Sequence, residues 1–300
     1  MQGLTPYVSV IVPVYNDARR LRGCLAALQQ QTYPPESHEI VVVDNASSED
    51  LRPIVAAFPG FRFEREDQPG SYAARNKGIV ASKGQILAFT DSDCLPDPTW
   101  IAAGVRALEA RPGCGAVGGR IEMVARDPLR ITAFDLHDLV WGMPQRVYVE
   151  RFGLAATANL FAHRWVFDRV GPFDASFKSC GDCEWSFRRE AAGIELVYAD
   201  EARVCHPTRS SLREFVRRRR RITGGFHQLA PILERSYPHK QFEIPKTFGH
   251  SYHRIRRSLS HRRLATLQSK LGFTLAELIL YAVNVTEGWR LRLGGKPSRC

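Results

Sequence analysis

Short apolar runs rich in β-branched residues alternate with amphipathic stretches along the first part of the chain. Such runs, bounded by polar and turn-forming residues, are typical of strands buried on both faces. The predicted strands are Val8–Val12, Ile40–Val43, Phe61–Glu66, Ile86–Phe89 and Gly115–Ile121. The predicted helices between them are Asp17–Gln31, a short helix opened by Ser48 or Glu49, Ser71–Ala81 and Thr99–Ala110. This β-α-β-α order predicts an α/β fold, in which helices cover both faces of a mostly parallel sheet.

The second half of the chain is less regular and more basic. Long helices are predicted within Ser211–Gln228 and within Ala265–Val285. The apolar segment Leu271–Val285 is shorter than the ~20 residues that cross a bilayer, and Glu277 interrupts it. We therefore expect a helix that either docks on the core or lies at a membrane surface. The predicted domains are an α/β domain at residues 1–210 and a basic, mainly helical extension at 211–300.

Composition and charge narrow the class of protein and of partner. Hydrophobic residues make up 44% of the chain and charged residues 24%, which excludes a mainly disordered protein. The 42 Lys and Arg residues exceed the 31 Asp and Glu residues by 11, which favours an anionic partner. A nucleoside diphosphate, a phospholipid surface and nucleic acid all fit that charge. Much of the positive charge lies in Arg217–Arg221 and Arg254–Arg263, and the alternative is that these arginines only form solvated helix faces. Nucleic acid is the least favoured, because neither interleaved aromatic residues nor a helix-turn-helix pattern accompanies the arginines.

The cysteines and the start of the sequence bear on the compartment. Seven scattered cysteines, an odd number, are typical of free thiols in a reducing environment. Cys180 and Cys183 form a C-x-x-C motif without a second pair, so a zinc or redox role is not favoured. The first apolar run follows no basic segment, and a signal peptide is therefore not expected. We expect a cytoplasmic protein, with peripheral attachment of the basic extension to the inner membrane face.

Polar residues follow three of the predicted strands at the point where each strand ends. Asn16 follows the first strand, Asp44 the second, and Asp91 and Asp93 the fourth. In a doubly wound sheet, ligands bind beyond the carboxyl ends of the strands. Two carboxylates two residues apart are oxygen ligands for a hard cation, although an Asx turn is the alternative. The sequence contains neither a P-loop nor a G-x-G-x-x-G motif, so the main support for an ATPase or a nicotinamide enzyme is missing.

These strand ends belong to a longer series of motifs that keeps its order along the chain. The series consists of VSVIVPVYND, VVVDNASSED, GSYAARNKGI, FTDSDC and GPFDASFKSCGDCEWSFRR. From Val8 to His206 it resembles the inverting glycosyltransferases of family 2, which have the GT-A fold. The resemblance implies transfer of a sugar from a nucleotide-diphospho-sugar donor to an acceptor hydroxyl, with Mg²⁺ or Mn²⁺ as cofactor.

The resemblance also implies roles for individual residues on the donor side. Pro13 and Asn16 match the loop after the first strand, which surrounds the nucleoside. Asp44 matches the aspartate that contacts the base or ribose. Arg75 and Asn76 match an R-N-x-G segment in which the arginine lies near the base and the diphosphate.

Further matches concern the metal and the chemical step. Asp91 and Asp93 match the D-x-D motif, with Asp93 as the metal ligand and Asp91 near the ribose or a metal-bound water. His206 matches a further ligand to the metal or diphosphate, and a structural histidine is the alternative. Asp182 matches the catalytic base, and a helix N-cap is the alternative. Gly181 departs from the family, which often has glutamate at this position.

Three residues are expected on the acceptor side: Asn159, Glu184 and Trp185. The acceptor is expected to be a sugar or a lipid-linked molecule, and the pathway to be polysaccharide or glycolipid biosynthesis. The alternatives are a nucleotidyltransferase of similar fold, and a non-catalytic basic protein that binds membranes or nucleic acid. The former would need a glycine-rich loop with a lysine near the start, which VPVYNDARR does not provide.

Overall fold

The structure is a computed structural model that describes residues 5–237 and 248–297. Contacts within the chain divide it into two compact units, which are described separately. The first unit comprises Met1–Glu122, Pro144–Ser176 and Gly181–His206. The second unit comprises Met123–Met143, Phe177–Cys180 and Pro207–Cys300. The domain limits 1–210 and 211–300 stay a prediction.

An eight-stranded sheet runs through the described residues and is built almost wholly from the first unit. Its strands are β1 (Val8–Val14), β2 (His38–Asp44), β3 (Arg62–Arg65), β4 (Ile86–Thr90), β5 (Leu95–Pro96), β6 (Cys114–Val124), β7 (Asn159–His163) and β8 (Glu195–Pro207). Their order across the sheet is β3-β2-β1-β4-β7-β6-β8-β5. Strands β3, β2, β1 and β4 pair in parallel, while β7 pairs antiparallel with β4 and β6, and β5 antiparallel with β8. The predicted α/β class is confirmed, and the antiparallel strands are an addition to it.

Seven helices accompany the sheet in the described part of the first unit. They are α1 (Ala18–Gln29), α2 (Arg52–Ala56), α3 (Ser71–Ala81), α4 (Trp100–Glu109), α6 (Gln145–Phe152), α7 (Arg164–Val170) and α8 (Gly181–Ala191). Helix α2 begins at Arg52 rather than at Ser48, because the preceding residues bond to side chains instead of to a helical ladder. The backbone N–H of Ser48 donates to Asn16 Oδ1 at 2.8 Å, and Arg52 N donates to Asp50 Oδ1 at 3.0 Å.

Aromatic packing holds the centre of the first unit. The rings of Trp100 and Phe161 lie 4.8 Å apart and both side chains are fully buried. Gly104 makes this approach possible, since a Cβ atom there would lie 2.3 Å from the Phe161 ring. Trp185 stacks on Phe167 at 4.7 Å on the same core. Close packing of this kind fixes the sheet whose edge carries the polar residues.

The second unit is mainly helical. Its helices are α5 (Ala133–Trp141), α9 (Leu212–Ser236), α10 (Phe248–Ser258) and α11 (Leu267–Arg292). Helix α11 packs against α5, α9 and α10, and a cluster of Phe215, Ala276 and Leu280 lies in its core. Helix α9 continues past the predicted end at Gln228 and contains Pro231. No helix in residues 5–237 or 248–297 has both the length and the apolar character needed to cross a membrane.

Candidate active site

The loops after β1 and β2 are joined by side-chain hydrogen bonds. Asn16 has a left-handed backbone (φ 48°), and its Oδ1 accepts from Ser48 N at 2.8 Å. In return, Asn16 N donates to Ser47 Oγ at 2.9 Å. Pro13 lies inside β1 and is buried, because β1 continues to pair with β2 as far as Val14 and Asp44. The prediction that Pro13 belongs to the following loop is therefore wrong, whereas Asn16 does lie in it.

Asp44 lines a polar pocket in the first unit. Its carboxylate is buried, accepting from Ser47 N at 3.0 Å and from Arg65 Nη1 at 2.9 Å. The pocket has a volume of about 460 Å³ and a mainly polar lining. Its lining is Asp44, Ser47, Ser48, Glu49, Asp50, Arg52, Phe63 and Arg65. Sequence reasoning did not identify Arg65, although it is the register partner of Asp44 in the β2–β3 pairing.

Helix α3 brings Arg75 to the end of β4. The guanidinium is almost wholly buried, and its Nη2 lies 2.5 Å from Asp91 Oδ1. Within the described part of the chain, the buried Nε of Arg75 has no hydrogen-bond partner. Asn76 behaves differently, because Phe173 occupies both ends of its amide: Nδ2 donates to Phe173 O at 2.7 Å and Oδ1 accepts from Phe173 N at 3.0 Å. The predicted donor contact does not fit the Asn76 side chain in this structure, since the amide is committed to the backbone.

Four possible metal-ligating side chains converge where β4 ends. Atoms of Asp91, Asp93, Cys94 and His206 all lie within 4.8 Å of one another. The Nε2 atom of His206 is 3.7 Å from Asp93 Oδ1. The two carboxylates suit Mg²⁺ or Mn²⁺, and the added imidazole favours Mn²⁺, since Mg²⁺ prefers oxygen ligands. The tertiary structure thus brings His206, from the end of β8, to the D-x-D motif.

Cys94 is a member of this cluster that sequence reasoning missed. Burial, with the negative charges of Asp93 and Asp91, raises the pKa of the Cys94 thiol well above its ordinary value. A protonated thiol is a poor ligand for a hard cation. Asp91, Asp93 and His206 are therefore the better match to Mg²⁺ or Mn²⁺, and Cys94 packs beside them.

Asp182 is held by donors from three parts of the first unit. Its Oδ1 accepts from the Tyr72 hydroxyl at 3.0 Å and from Cys183 N at 3.0 Å, and its Oδ2 accepts from Thr157 N at 3.2 Å. The carboxylate is only partly buried. Because α8 begins at Gly181, Asp182 lies in the first turn of the helix rather than at an N-cap before it.

Tyr72 connects the candidate base to the donor side. Its ring lies under the Arg75 guanidinium, 5.5 Å from centroid to Cζ, and Arg75 in turn pairs with Asp91. The chain of contacts Asp91–Arg75–Tyr72–Asp182 therefore spans helix α3. Tyr72 was not identified from the sequence, although it lies three residues before Arg75 on one face of the helix.

The structure corrects the predicted acceptor contacts. Asn159 is fully buried, and its amide bonds to Trp100 Nε1, Arg120 O and Ala202 O at 2.8–2.9 Å. Trp185 is also fully buried within the aromatic core. Neither side chain can contact an acceptor in this structure, because both are buried inside the first unit.

Glu184 is the third of these predicted acceptor residues. It pairs with Arg188 one turn along α8 at 2.7 Å and is partly exposed. This ion pair accounts for its placement on the helix, and the acceptor role of Glu184 stays a prediction.

Comparison with known proteins identifies the family. The family model described as Glycosyl transferase family 2 matches residues 9–170. Glycosyltransferase AglE of Haloferax volcanii is 39% identical over 214 residues, which cover 70% of this chain and 69% of AglE. Validoxylamine A glucosyltransferase of Streptomyces hygroscopicus subsp. limoneus is 28% identical over 234 residues, covering 66% of this chain and 51% of that protein. The chain thus spans about half of the second relative.

Two solved structures share the fold. Mannosyltransferase PcManGT from Pyrobaculum calidifontis, in complex with GDP-Man and Mn²⁺, aligns with a TM-score of 0.64 and 18% identity, covering 96% of this chain and 88% of that one. S. aureus TarS 1–349 in complex with UDP aligns with a TM-score of 0.55 and 18% identity, covering 96% and 92%. The predicted GT-A architecture is confirmed, and the match favours glycosyl transfer over the nucleotidyltransferase and non-catalytic alternatives. On its motifs, its fold and its match to the family model, the chain belongs to glycosyl transferase family 2 and is a glycosyltransferase.

Proposed function

We propose that the protein transfers a sugar from a nucleotide-diphospho-sugar to an acceptor hydroxyl, with inversion at the anomeric carbon and with Mg²⁺ or Mn²⁺ as cofactor. The observation that carries the proposal is the arrangement at one end of the first unit. There, the Asp44 pocket lies at the end of β2, the Asp91–Asp93–His206 donor set lies at the ends of β4 and β8, and the Asp182 carboxylate lies in the first turn of α8. The GDP-Man, Mn²⁺ and UDP held by the two structural neighbours support this type of donor.

On the donor side, the pocket beside Asp44 receives the nucleoside. The buried Asp44 carboxylate is already aligned by Ser47 N and Arg65, so its oxygens are fixed in place for hydrogen bonds from a base or ribose. Asn16, from the loop after β1, holds the loop after β2 in place through its hydrogen bonds to Ser47 and Ser48. A preorganised pocket of this kind orients the donor before reaction.

The leaving group is stabilised at the end of β4. Asp93, Asp91 and His206 would hold the divalent cation, which supplies positive charge to offset the charge developing on the nucleoside diphosphate. Arg75 presents a second cationic group at this point, held by Asp91 at 2.5 Å.

Asp182 accepts the proton of the acceptor hydroxyl as that oxygen attacks the anomeric carbon. The new C–O bond forms while the bond to the diphosphate oxygen breaks, and the bonding pair leaves with the nucleoside diphosphate. A single carboxylate acting as base, without a covalent intermediate, gives one displacement and inverted configuration. Tyr72 and Thr157 N orient the carboxylate for this step.

The acceptor is a sugar or a lipid-linked molecule, and the pathway is polysaccharide or glycolipid assembly. The names of the two relatives support glycosyl transfer, and they do not identify the acceptor of this chain. A thermal-shift screen of nucleoside diphosphates and nucleotide sugars, with and without Mn²⁺, would identify the donor, because a bound ligand stabilises the folded state by mass action.

The test of the chemical step uses Asp182→Asn, which keeps the shape but cannot accept the proton. We expect turnover to fall at least about 10²-fold with little change in donor affinity. Asp174→Asn, an exposed carboxylate of the same unit, is the matched control and should retain activity. Near wild-type transfer by Asp182→Asn, or a product of retained anomeric configuration by NMR, would refute the proposed mechanism.

A further inference from the structure

Helix α11 carries large apolar side chains on the face opposite its core contacts. Phe273, Ala276 and Leu280 are buried against the rest of the second unit. On the opposite side, five large apolar side chains are exposed, and we name them the leucine face: Leu267, Leu271, Leu275, Leu278 and Trp289, which are 74%, 62%, 55%, 40% and 60% exposed. Their spacing by three, four or eleven residues places them on one side of the helix. The helix is therefore apolar on two sides, and among the residues that the structure describes only one of these sides packs into the core of the unit.

The leucine face is long and continuous. At 1.5 Å per residue, the distance along the axis from Leu267 to Trp289 is about 33 Å. Ala282, which is also exposed, lies on the same side between Leu278 and Trp289. Scattered exposed leucines are ordinary, but a continuous apolar stripe of this length marks a surface that binds something.

The exposed charge of the segment from Phe248 to Lys296, which contains α10 and α11, has one sign. From Phe248 to Lys296 the sequence contains two acidic residues, Glu277 and Glu287, and both are buried. Glu277 lies 2.9 Å from Arg254 Nη2, and Glu287 lies 2.5 Å from Arg290 Nη2. The exposed basic residues of the same stretch include Arg256, Arg257, Arg262, Arg263 and Arg292. Helices α10 and α11 thus expose positive charge and apolar surface, and no carboxylate of either is exposed in the described residues.

This combination decides between possible occupants. A helix with an exposed leucine and tryptophan side and flanking arginines fits the boundary between lipid headgroups and acyl chains. Anionic phospholipids supply phosphate and carboxylate groups, and the described residues provide no carboxylate partner for Arg256, Arg257, Arg262, Arg263 or Arg292. A second copy of the chain would bring equally basic helices together, with no exposed carboxylate on either to offset the repulsion.

We propose that the leucine face binds the surface of an anionic phospholipid bilayer, with the leucines and Trp289 entering the headgroup region and the arginines contacting phosphates. The inference rests on the second unit alone and does not depend on the proposed glycosyl transfer. It extends the expectation from the sequence, which named the basic stretches and the apolar segment but not the face that makes contact. If the acceptor is lipid-linked, binding would also hold the enzyme at the surface that contains it.

The test measures flotation of the full chain with vesicles of phosphatidylcholine alone, and with vesicles that also contain phosphatidylglycerol. The wild type should float with the anionic vesicles and much less with the neutral ones. Leu271→Gln combined with Leu275→Gln should reduce that binding at least about tenfold. Val80→Gln with Val147→Gln, which removes two apolar side chains of the first unit that are 83% and 43% exposed, is the matched control and should bind like the wild type.

A second arm separates charge from apolar contact. Arg262→Gln with Arg263→Gln should weaken binding to anionic vesicles and reduce its dependence on salt. In the wild type, Trp fluorescence should shift to shorter wavelength on adding anionic vesicles, and Trp289→Phe should lose most of that shift. All these side chains are exposed, so thermal melting should confirm that each variant is folded.

The outcomes distinguish this inference from the proposed function. Hydrolysis of a nucleotide sugar without vesicles should be unchanged in the leucine-face variant, so a loss of binding alone supports the surface proposal. Equal flotation of the wild type with neutral and anionic vesicles, or equal flotation of the leucine-face variant and its control, would overturn it. A dimer in size-exclusion chromatography that becomes monomeric in the variant, without vesicle binding, would overturn it in favour of a second copy.

Discussion

The ring of Tyr72 leaves no room for a side chain at Gly181, and the hydroxyl of the same tyrosine lies 3.0 Å from Oδ1 of Asp182. A Cβ atom at position 181 would lie 2.7 Å from Tyr72 Cε2. The departure from the family at Gly181 therefore has a steric reason, since Tyr72 occupies the space beside the candidate base. The Tyr72 ring and the missing side chain at Gly181 therefore depend on each other, and substitutions at both positions test this dependence.

Tyr72→Phe keeps the ring packing on Phe173 but removes the hydroxyl from Asp182. Loss of a hydrogen bond to a charged group is worth about 1.5–3 kcal/mol, so we expect turnover to fall about tenfold or more with the donor affinity unchanged. Gly181→Ala should lower both turnover and stability by steric overlap with the ring, at a cost of about 1–3 kcal/mol in stability. Combining Gly181→Ala with Tyr72→Ser should recover part of that stability, because the two residues are in contact. Additive losses of stability in denaturant unfolding would show that position 181 and the ring do not interact.

The metal and nucleoside sites should separate by mutation. Asp93→Ala should abolish transfer and remove the Mn²⁺ dependence of nucleoside diphosphate binding, while metal-free nucleoside binding persists. Asp44→Ala should weaken binding of the nucleoside at least about tenfold and leave the Mn²⁺ response intact. Calorimetry with Mn²⁺ and with a chelator measures both, and Asp174→Ala serves as the control. An Asp93→Ala protein with an unchanged Mn²⁺ response would place the cation elsewhere.

Asp135 should make the second unit sensitive to acid. Burial by itself raises the pKa of Asp135, but hydrogen bonds from Thr208, Thr132 and Ser210 outweigh it and lower the pKa below its ordinary value. A depressed folded-state pKa contributes stability that is fully present above the unfolded value, about 3.9, and is lost as the pH falls through the folded value. Urea unfolding should show the free energy of unfolding falling below about pH 4.

Asp135→Asn removes that titration. We expect it to cost about 1–3 kcal/mol at neutral pH, and the unfolding free energy of the variant to depend less on pH in the acid range. Asp127→Asn, an exposed carboxylate of the same unit, should behave like the wild type. Identical acid dependence in Asp135→Asn and the wild type would contradict this role.

Asn159→Ala tests whether Asn159 has a structural role in the core or contacts the acceptor. The substitution leaves the indole N–H of Trp100 and the carbonyls of Arg120 and Ala202 without their bonds to the amide. Unpaired buried polar groups cost about 1–3 kcal/mol each, so the melting temperature should fall by several degrees. The KM for the acceptor, measured on the folded protein, should not change. A raised KM for the acceptor without loss of stability would instead indicate that Asn159 contacts the acceptor.

Local pattern determined much of the first unit. Helix α3 has the predicted bounds Ser71–Ala81, and strands β1, β2 and β4 lie where the apolar runs are. Whether such a segment forms a strand or a helix depends on side chains that are close in sequence, because the spacing of its apolar residues matches one of the two structures. The ordered polar strand ends also determined the family and the edge of the sheet on which to seek the site, because parallel strands end together.

Contacts between distant segments decided the rest. The sequence alone could not place Arg65 against Asp44, Tyr72 against Asp182 or His206 against Asp93, since each pair meets only through sheet order or helix packing. Burial separated Asn159 and Trp185 from the acceptor, because motif spacing does not report how a side chain is enclosed. On α11 the pattern is apolar on two sides, and only the packing of the second unit decided which side is core and which is the exposed leucine face.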